Sequence, residues 1–232
     1  DVALLHLSEL DVDSGEAGTG DFVEIGTSLS SELDLSGYSL LFIDGNSGAV
    51  YREIDLAQNE AKTNTEGRLV VAGNSFSGSS QITADISSDL LLNGEHAVAL
   101  YQDSGSALPV TIFEFTEALL IDALIYETGF HDNQGALWSL MTCCSLDDDT
   151  AGQSGGPVIN EGVTAEDRAA QSIQRCPGIS TRRDTSAWGV SLPTPGEANT
   201  CDAIPVINGF DYPVVAHGSR LTINGENLSS ID

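Results

Sequence analysis

Short apolar runs recur along this chain between clusters of glycine, serine, asparagine and aspartate, and a 3.6-residue hydrophobic period is nearly absent. Runs of this kind, closed by turn-forming residues, are the pattern of strands in a β-sandwich. Strands are expected at residues 3–10, 21–25, 38–43, 68–72, 97–102, 120–126 and 220–223, with Val70, Val71, Val98, Leu100 and Ile125 as core occupants. Asp44-Gly-Asn-Ser-Gly48 has the composition of a hairpin connection, where positive φ must be tolerated. A short helix is expected within residues 164–174, with 165–170 as its best helix-forming window. Residues 74–89 are serine-rich and read as a surface loop. Residues 143–161 form a long excursion of the kind that carries function or moves.

Composition narrows the class. At 232 residues and 41% hydrophobic content, the chain can bury a substantial core. No apolar run approaches the ~20 residues that a membrane-spanning helix needs, so a soluble protein is expected. Charge changes the picture most: 35 acidic residues stand against 8 basic ones, a net charge of −27. That excess repels a phosphate backbone and argues against direct nucleic-acid binding. It fits an acidic secreted protein, or carboxylates converging on Ca²⁺, a cation that takes ~6–8 oxygen ligands. Asp1 at the start and Met141 as the single methionine read as a processed or excised segment.

Four cysteines, Cys143, Cys144, Cys176 and Cys201, allow three full pairings. Without a Cys-x-x-Cys pair or a His pair at zinc spacing, they read as disulfide partners, and two bridges of unresolved pairing are expected. A loop of ~25 residues closed near Cys176 or Cys201 adds roughly 3 kcal/mol in the chain-entropy picture. Asn227-Leu-Ser229 is a glycosylation sequon, and with the disulfides it points to an extracellular location.

Several segments together carry a family resemblance. Ser172-Ile-Gln-Arg-Cys-Pro177, Trp188 and Pro193-Thr-Pro-Gly-Glu-Ala-Asn199 resemble the last strand and exit of a lamin tail domain. His6-Leu-Ser-Glu-Leu10, Asp21-Phe-Val-Glu-Ile25 and Leu33-Asp-Leu-Ser-Gly-Tyr-Ser-Leu40 resemble its earlier strands. Gly67-Arg-Leu-Val-Val-Ala-Gly73, Leu92-Asn-Gly-Glu-His-Ala-Val-Ala-Leu-Tyr101 and Leu120-Ile-Asp-Ala-Leu-Ile-Tyr126 continue the series in order. The resemblance implies an immunoglobulin-like all-β sandwich over residues 1–200, of the longer secreted type. Past Cys201, Ile204-Pro-Val-Ile-Asn-Gly-Phe-Asp and Gly218-Ser-Arg-Leu-Thr-Ile-Asn-Gly-Glu-Asn-Leu228 resemble the start of a TIG domain, making residues 201–232 a partial second β-sandwich.

Candidate chemistry is sparse. Gly152-Gln-Ser-Gly-Gly-Pro157 imitates the nucleophile loop of chymotrypsin-like proteases, which need Ser, His and Asp to converge. None of His6, His96, His131 and His217 has the flanking sequence of that family's base, and His131 is only 23 positions before Ser154. The loop therefore reads as a glycine-serine connection, and no catalytic residue is expected. Glu9, Asp11, Asp13, Asp21 and Glu24 are the candidate Ca²⁺ ligands, against the alternative of a solvated acidic turn. Asp147-Asp-Asp149 reads as surface, and Trp138 and Trp188 as core rings.

The expectation is a non-enzymatic secreted or cell-surface module for interaction or assembly, with Ca²⁺ as the candidate ligand. Its partner would be another extracellular protein or a like subunit, with no nucleic acid and no membrane span. The alternatives are an accessory domain of a secreted nuclease or other hydrolase, which the resemblance also implies, and an acidic Ca²⁺- or mineral-associated matrix protein.

Overall fold

The computed structural model describes residues 5–12, 20–74, 76–84, 90–129, 137–141, 158–162, 164, 168–176, 182–201, 206–210 and 223–226. Its strands are β1 (Leu5–Asp11), β2 (Phe22–Thr27), β3 (Tyr38–Asp44), β4 (Val50–Asp55), β5 (Arg68–Gly73), β6 (Ile82–Ala84) and β7 (His96–Gln102). The series continues with β8 (Leu120–Glu127), β9 (Val158–Asn160), β10 (Ser172–Arg175), β11 (Trp188–Ser191), β12 (Val206–Phe210) and β13 (Ile223–Glu226). Among the described residues between β8 and β9 lies a helical turn, α1 (Trp138–Met141).

Two sheets pack face to face as an all-β sandwich. The first has six strands in the order β11-β10-β1-β2-β5-β6, and the second has five in the order β4-β3-β7-β8-β9. Neighbours are antiparallel except at two edges, where β6 runs parallel to β5 and β9 parallel to β8. β12 and β13 pair with each other in a separate two-stranded sheet.

The strands of the second sheet are apolar almost throughout because both of their faces are covered. Leu40, Phe42, Val98, Leu100, Leu124 and Tyr126 point into the space between the sheets. Their neighbours Leu41, Ile43, Ala97, Ala99, Ala123 and Ile125 form a second core on the outer face, roofed by Ile112, Phe115, Leu137 and Leu140. A strand buried on both faces reads as a continuous apolar run rather than an alternating one. The first sheet has one covered apolar face and a mixed outer face, where Phe22, Val70 and Ala72 meet Phe76. All five expected core residues are fully buried, although Val70 and Ile125 lie on outer faces.

A bulge in β1 sets the polar centre of the sandwich. Its register with β2 shifts between Leu7 and Glu9, so Leu7 and Leu10 face inward across one extra residue. β10 pairs with β1 only at Glu9 and Leu10, which leaves the Leu7 backbone beyond that ladder. Two side chains fill the gap. Leu7 N–H donates to Asp122 Oδ2 on β8 at 2.9 Å, and Arg175 Nε on β10 donates to Leu7 O at 2.8 Å. Arg175 Nη2 then closes on Asp122 Oδ2 at 2.5 Å, with the Trp188 ring centroid 4.6 Å from the guanidinium carbon. This ion pair crosses from one sheet to the other, and both partners are buried.

Turn chemistry behaves as the sequence requires. Asp44 Oδ1 accepts from Ser47 N–H and Oγ–H, and Gly48 takes φ +67°. A Cβ at Gly45 would stand 1.8 Å from Glu95 O, so the hairpin requires glycine there.

One local expectation holds and two are corrected. The short helix expected within 164–174 has its counterpart at Arg168, which is helical and donates its N–H to Thr164 O at 3.2 Å, and the chain then passes into β10 at Ser172. The serine-rich stretch from residue 74 contains β6, because Ile82 is drawn into the core beside Val71. Trp138 is 39% exposed, while Trp188 is the core ring.

Removing one partner of the inter-sheet pair strands a buried charge. Asp122→Ala and Arg175→Ala are each expected to lose about 3–5 kcal/mol, and the double variant clearly less than their sum. Urea unfolding of the four proteins of this cycle measures it, and additive losses would exclude coupling through the pair.

Candidate functional site

The outer face of the first sheet holds two of the candidate Ca²⁺ ligands. Glu9 and Glu24 are cross-strand neighbours on β1 and β2, and both are fully buried. Two adjacent carboxylates in a dry site repel unless each has its own donors. The exit segment of the sandwich supplies them. Thr194 N–H donates to Glu9 Oε1 at 2.8 Å, and Thr194 Oγ–H donates to Oε2 at 3.0 Å. From β10, Ser172 Oγ–H and Gln174 Nε2 also donate to Glu9 Oε1, at 2.5 and 3.1 Å. Gly196 N–H donates to Glu24 Oε2 at 2.7 Å, and Arg68 Nη1 reaches Oε1 at 2.6 Å.

The strap fits because its turn is well chosen. Glu197 N–H bonds Thr194 O at 2.9 Å, with Pro195 and Gly196 at the corner and φ +81° at Gly196. Proline then glycine with positive φ is the type II arrangement, and it aims the Gly196 N–H down at the sheet. Beyond it, Asn199 Nδ2 donates to Ser8 O at 2.8 Å and Arg175 O at 2.9 Å, spanning the gap that the bulge opens between β1 and β10. Cys201 N–H meets Gln174 Oε1 at 3.3 Å, and Cys201 is disulfide-bonded to Cys176 at the end of β10.

The remaining Ca²⁺ candidates are dispersed. Asp21 Oδ2 accepts from Leu91 N–H at 3.0 Å. Asp11 is buried at the far end of β1. Next to it, Val12 N–H donates to Glu161 Oε1 at 2.8 Å, and Glu161 N–H donates to Glu127 O at 3.0 Å. Glu127 and Glu161, absent from the sequence expectation, are thus buried close to this strand end. Among the described residues no group of three His, Cys, Asp or Glu side chains is arranged to hold a metal ion. Asp13, Asp147, Asp148, Asp149, Cys143, Cys144, His131, Ser154, His217 and Asn227 lie outside the described residues.

The described histidines have structural surroundings. His6 lies against Gly26, where a Cβ would come within 2.8 Å of its Nε2. His96 Nδ1 accepts from Gly45 N–H at 3.2 Å, leaving Nε2 to donate to Asn93 O at 3.0 Å.

A feature missed by the sequence reading lies at the β4 edge of the second sheet. Gly48 O accepts from Ile112 N–H, and Val110 O accepts from Val50 N–H, so residues 110–112 cover the first part of this edge. Among the described residues the cover stops there. Beyond it runs a groove of about 370 Å³ lined by Leu41, Val50, Tyr51, Arg52, Glu53, Leu108, Pro109 and Val110. Val110 is 62% exposed at its lip, and Phe113, on the turn just past it, is 82% exposed. The signal available in the sequence was the apolar stretch Leu108-Pro-Val-Thr-Ile-Phe113, whose lack of a period hides its role.

No protein-family model matches the chain, and no curated protein matches it in sequence. Among the described residues no helix is long and apolar enough to cross a membrane.

Burial pushes the Glu24 carboxyl above its ordinary 4.5, against the opposing pull of Arg68, the Gly196 N–H and Ser8. The folded protein therefore keeps this proton to higher pH than the unfolded chain does. As pH rises from 4.5 through the folded value, the site loses stability. The melting-temperature difference between the parent and Glu24→Gln is expected to fall as pH rises from ~4.5 to ~7. A constant or growing difference would exclude this account of the strap.

Proposed function

We propose that the chain is a non-enzymatic extracellular interaction module of the lamin-tail-like type, working by surface recognition on a rigid sandwich. The observation that carries this reading is the open β4 edge with its groove and the exposed Val110 and Phe113. Large apolar side chains left in water beside an unpaired strand edge are the usual mark of a binding surface. The Cys176–Cys201 disulfide supports an oxidising, extracellular setting. Residues 201–232, read as the start of a TIG-like unit, would connect the module to a neighbour. Ca²⁺ belongs to this proposal only through carboxylates other than Glu9 and Glu24, all four of whose oxygens already accept hydrogen bonds within the protein. A rise in melting temperature with Ca²⁺ that survives Glu9→Gln would support such a site.

Photo-crosslinking tests the interaction reading. A benzoylphenylalanine in place of Phe113 is expected to capture a protein neighbour in the extracellular medium of the producing cells. The same group in place of the exposed Glu66, in the turn before β5 of the other sheet, is expected to capture none. Equal capture from both positions, no capture from either, or labelling of Ser154 by a fluorophosphonate probe would overturn the proposal.

A further inference from the structure

The β4 edge has a definite polarity and a definite charge. Leu56 N–H bonds Tyr38 O, so the register of β3 with β4 turns the backbone groups of Ile54 and Arg52 toward β3. Glu53, the residue between them, has its N–H and C=O on the open side. Residues 110–112 have already joined the edge at Gly48 and Val50, and an extended segment continuing along their line would meet Glu53 next. Below that line, Leu41, Val50 and Leu108 form an apolar groove that suits one aliphatic side chain.

The surroundings are acidic. Burial pushes the Glu53 carboxyl up, and the negative charges of Asp55 and Asp103 push it further. At the lip, Glu114 Oε2 accepts from Val110 N–H at 3.0 Å. Glu53 of the groove lining thus has Asp55 and Asp103 close by, Glu114 is bonded to Val110 at the lip, and among the described lining residues the single cation is Arg52. Like charges placed beside one another repel an acidic partner and attract a basic one. A second copy of this chain, at −27, is disfavoured on the same ground.

We propose that the β4 edge takes up an extended basic segment of a partner protein as an added strand. Its backbone pairs at Glu53, an aliphatic side chain fills the groove beside Val110, and flanking lysines or arginines face Glu53, Asp55, Asp103 and Glu114. This rests on the interaction-module reading and names the chemistry of its partner. Main-chain pairing supplies affinity in such strand addition, and alternate side chains supply specificity.

The test uses the full chain and fluorescent peptides of roughly eight residues, long enough for one strand. One alternates lysine and valine, a second glutamate and valine, and a third lysine and serine. The lysine–valine peptide is expected to bind saturably in anisotropy titrations, at least about tenfold more tightly than either control. Glu53→Lys and Val110→Asp, both at exposed positions, are each expected to weaken it about tenfold. Glu197→Lys, in the exposed 194–197 turn over the other sheet, changes the net charge as much as Glu53→Lys and is expected to have no comparable effect. Slower hydrogen exchange at the Glu53 amide on binding reports the added strand. Equal loss in Glu53→Lys and Glu197→Lys means attraction to overall charge alone and overturns the proposal. So does tight binding of the acidic peptide, or of the lysine–valine peptide to Val110→Asp. Failure of every peptide while position 113 still crosslinks a protein overturns the basic-strand proposal and leaves the module reading standing. Failure of both removes both.

Discussion

The buried pair of Asp122 and Arg175 is the constraint on which the rest of the sandwich depends. It lies where three needs meet: the unpaired backbone of Leu7, the crossing from one sheet to the other, and the end of β10. A bulge that leaves backbone groups buried without partners costs free energy unless side chains replace the lost ladder. Here one carboxylate and one guanidinium do so, and in doing it they fix how far apart the sheets sit at that point. Ion pairs of this sort add little net stability compared with apolar packing, yet losing one partner leaves the other charge buried and uncompensated. Asp122 also accepts from Arg183 N–H at 2.8 Å, so the approach to β11 is set by the same carboxylate.

The second constraint is laid over the first. Glu9 and Glu24 read in isolation as an acidic cluster facing solvent or an ion, because their spacing says nothing about what covers them. The cover comes from residues 194–199, about 185 positions later in the chain for Glu9. Thr194, Gly196 and Asn199 each meet a specific oxygen, which gives a physical reason for a polar exit motif in a β protein. The motif seals a sheet face that side chains of the strands alone leave open.

How much could be seen beforehand follows from these distances. The strands at β1, β2, β3, β5, β7 and β8 were legible because their apolar runs are local signals, correct to within two residues at each end. β4 was not, since Val50-Tyr-Arg-Glu-Ile-Asp55 lies on an edge and mixes charge with apolar residues. β6 and β9 are three residues each and exist by pairing parallel to a longer neighbour, which no local pattern announces. The candidate site was the least legible part. A groove between an edge strand and a covering segment some 60 residues further on is a property of the fold, and its charge comes from Glu53, Asp103 and Glu114 on separate elements.

The Cys176–Cys201 bond has a mechanical meaning as well. It links the end of β10 to the point where the chain leaves the sandwich, 25 residues later. Tension applied through residues beyond 201 therefore passes across the sulfurs into β10, a strand hydrogen-bonded on both sides to β1 and β11. The strap over Glu9 and Glu24 lies inside the covalent loop and carries none of that load. With the bond reduced, the same pull would fall on the hydrogen bonds of Asn199, Gly196 and Thr194 one after another, peeling the strap from the sheet. Oxidation thus decides whether the module resists force as a sheet or yields from its exit.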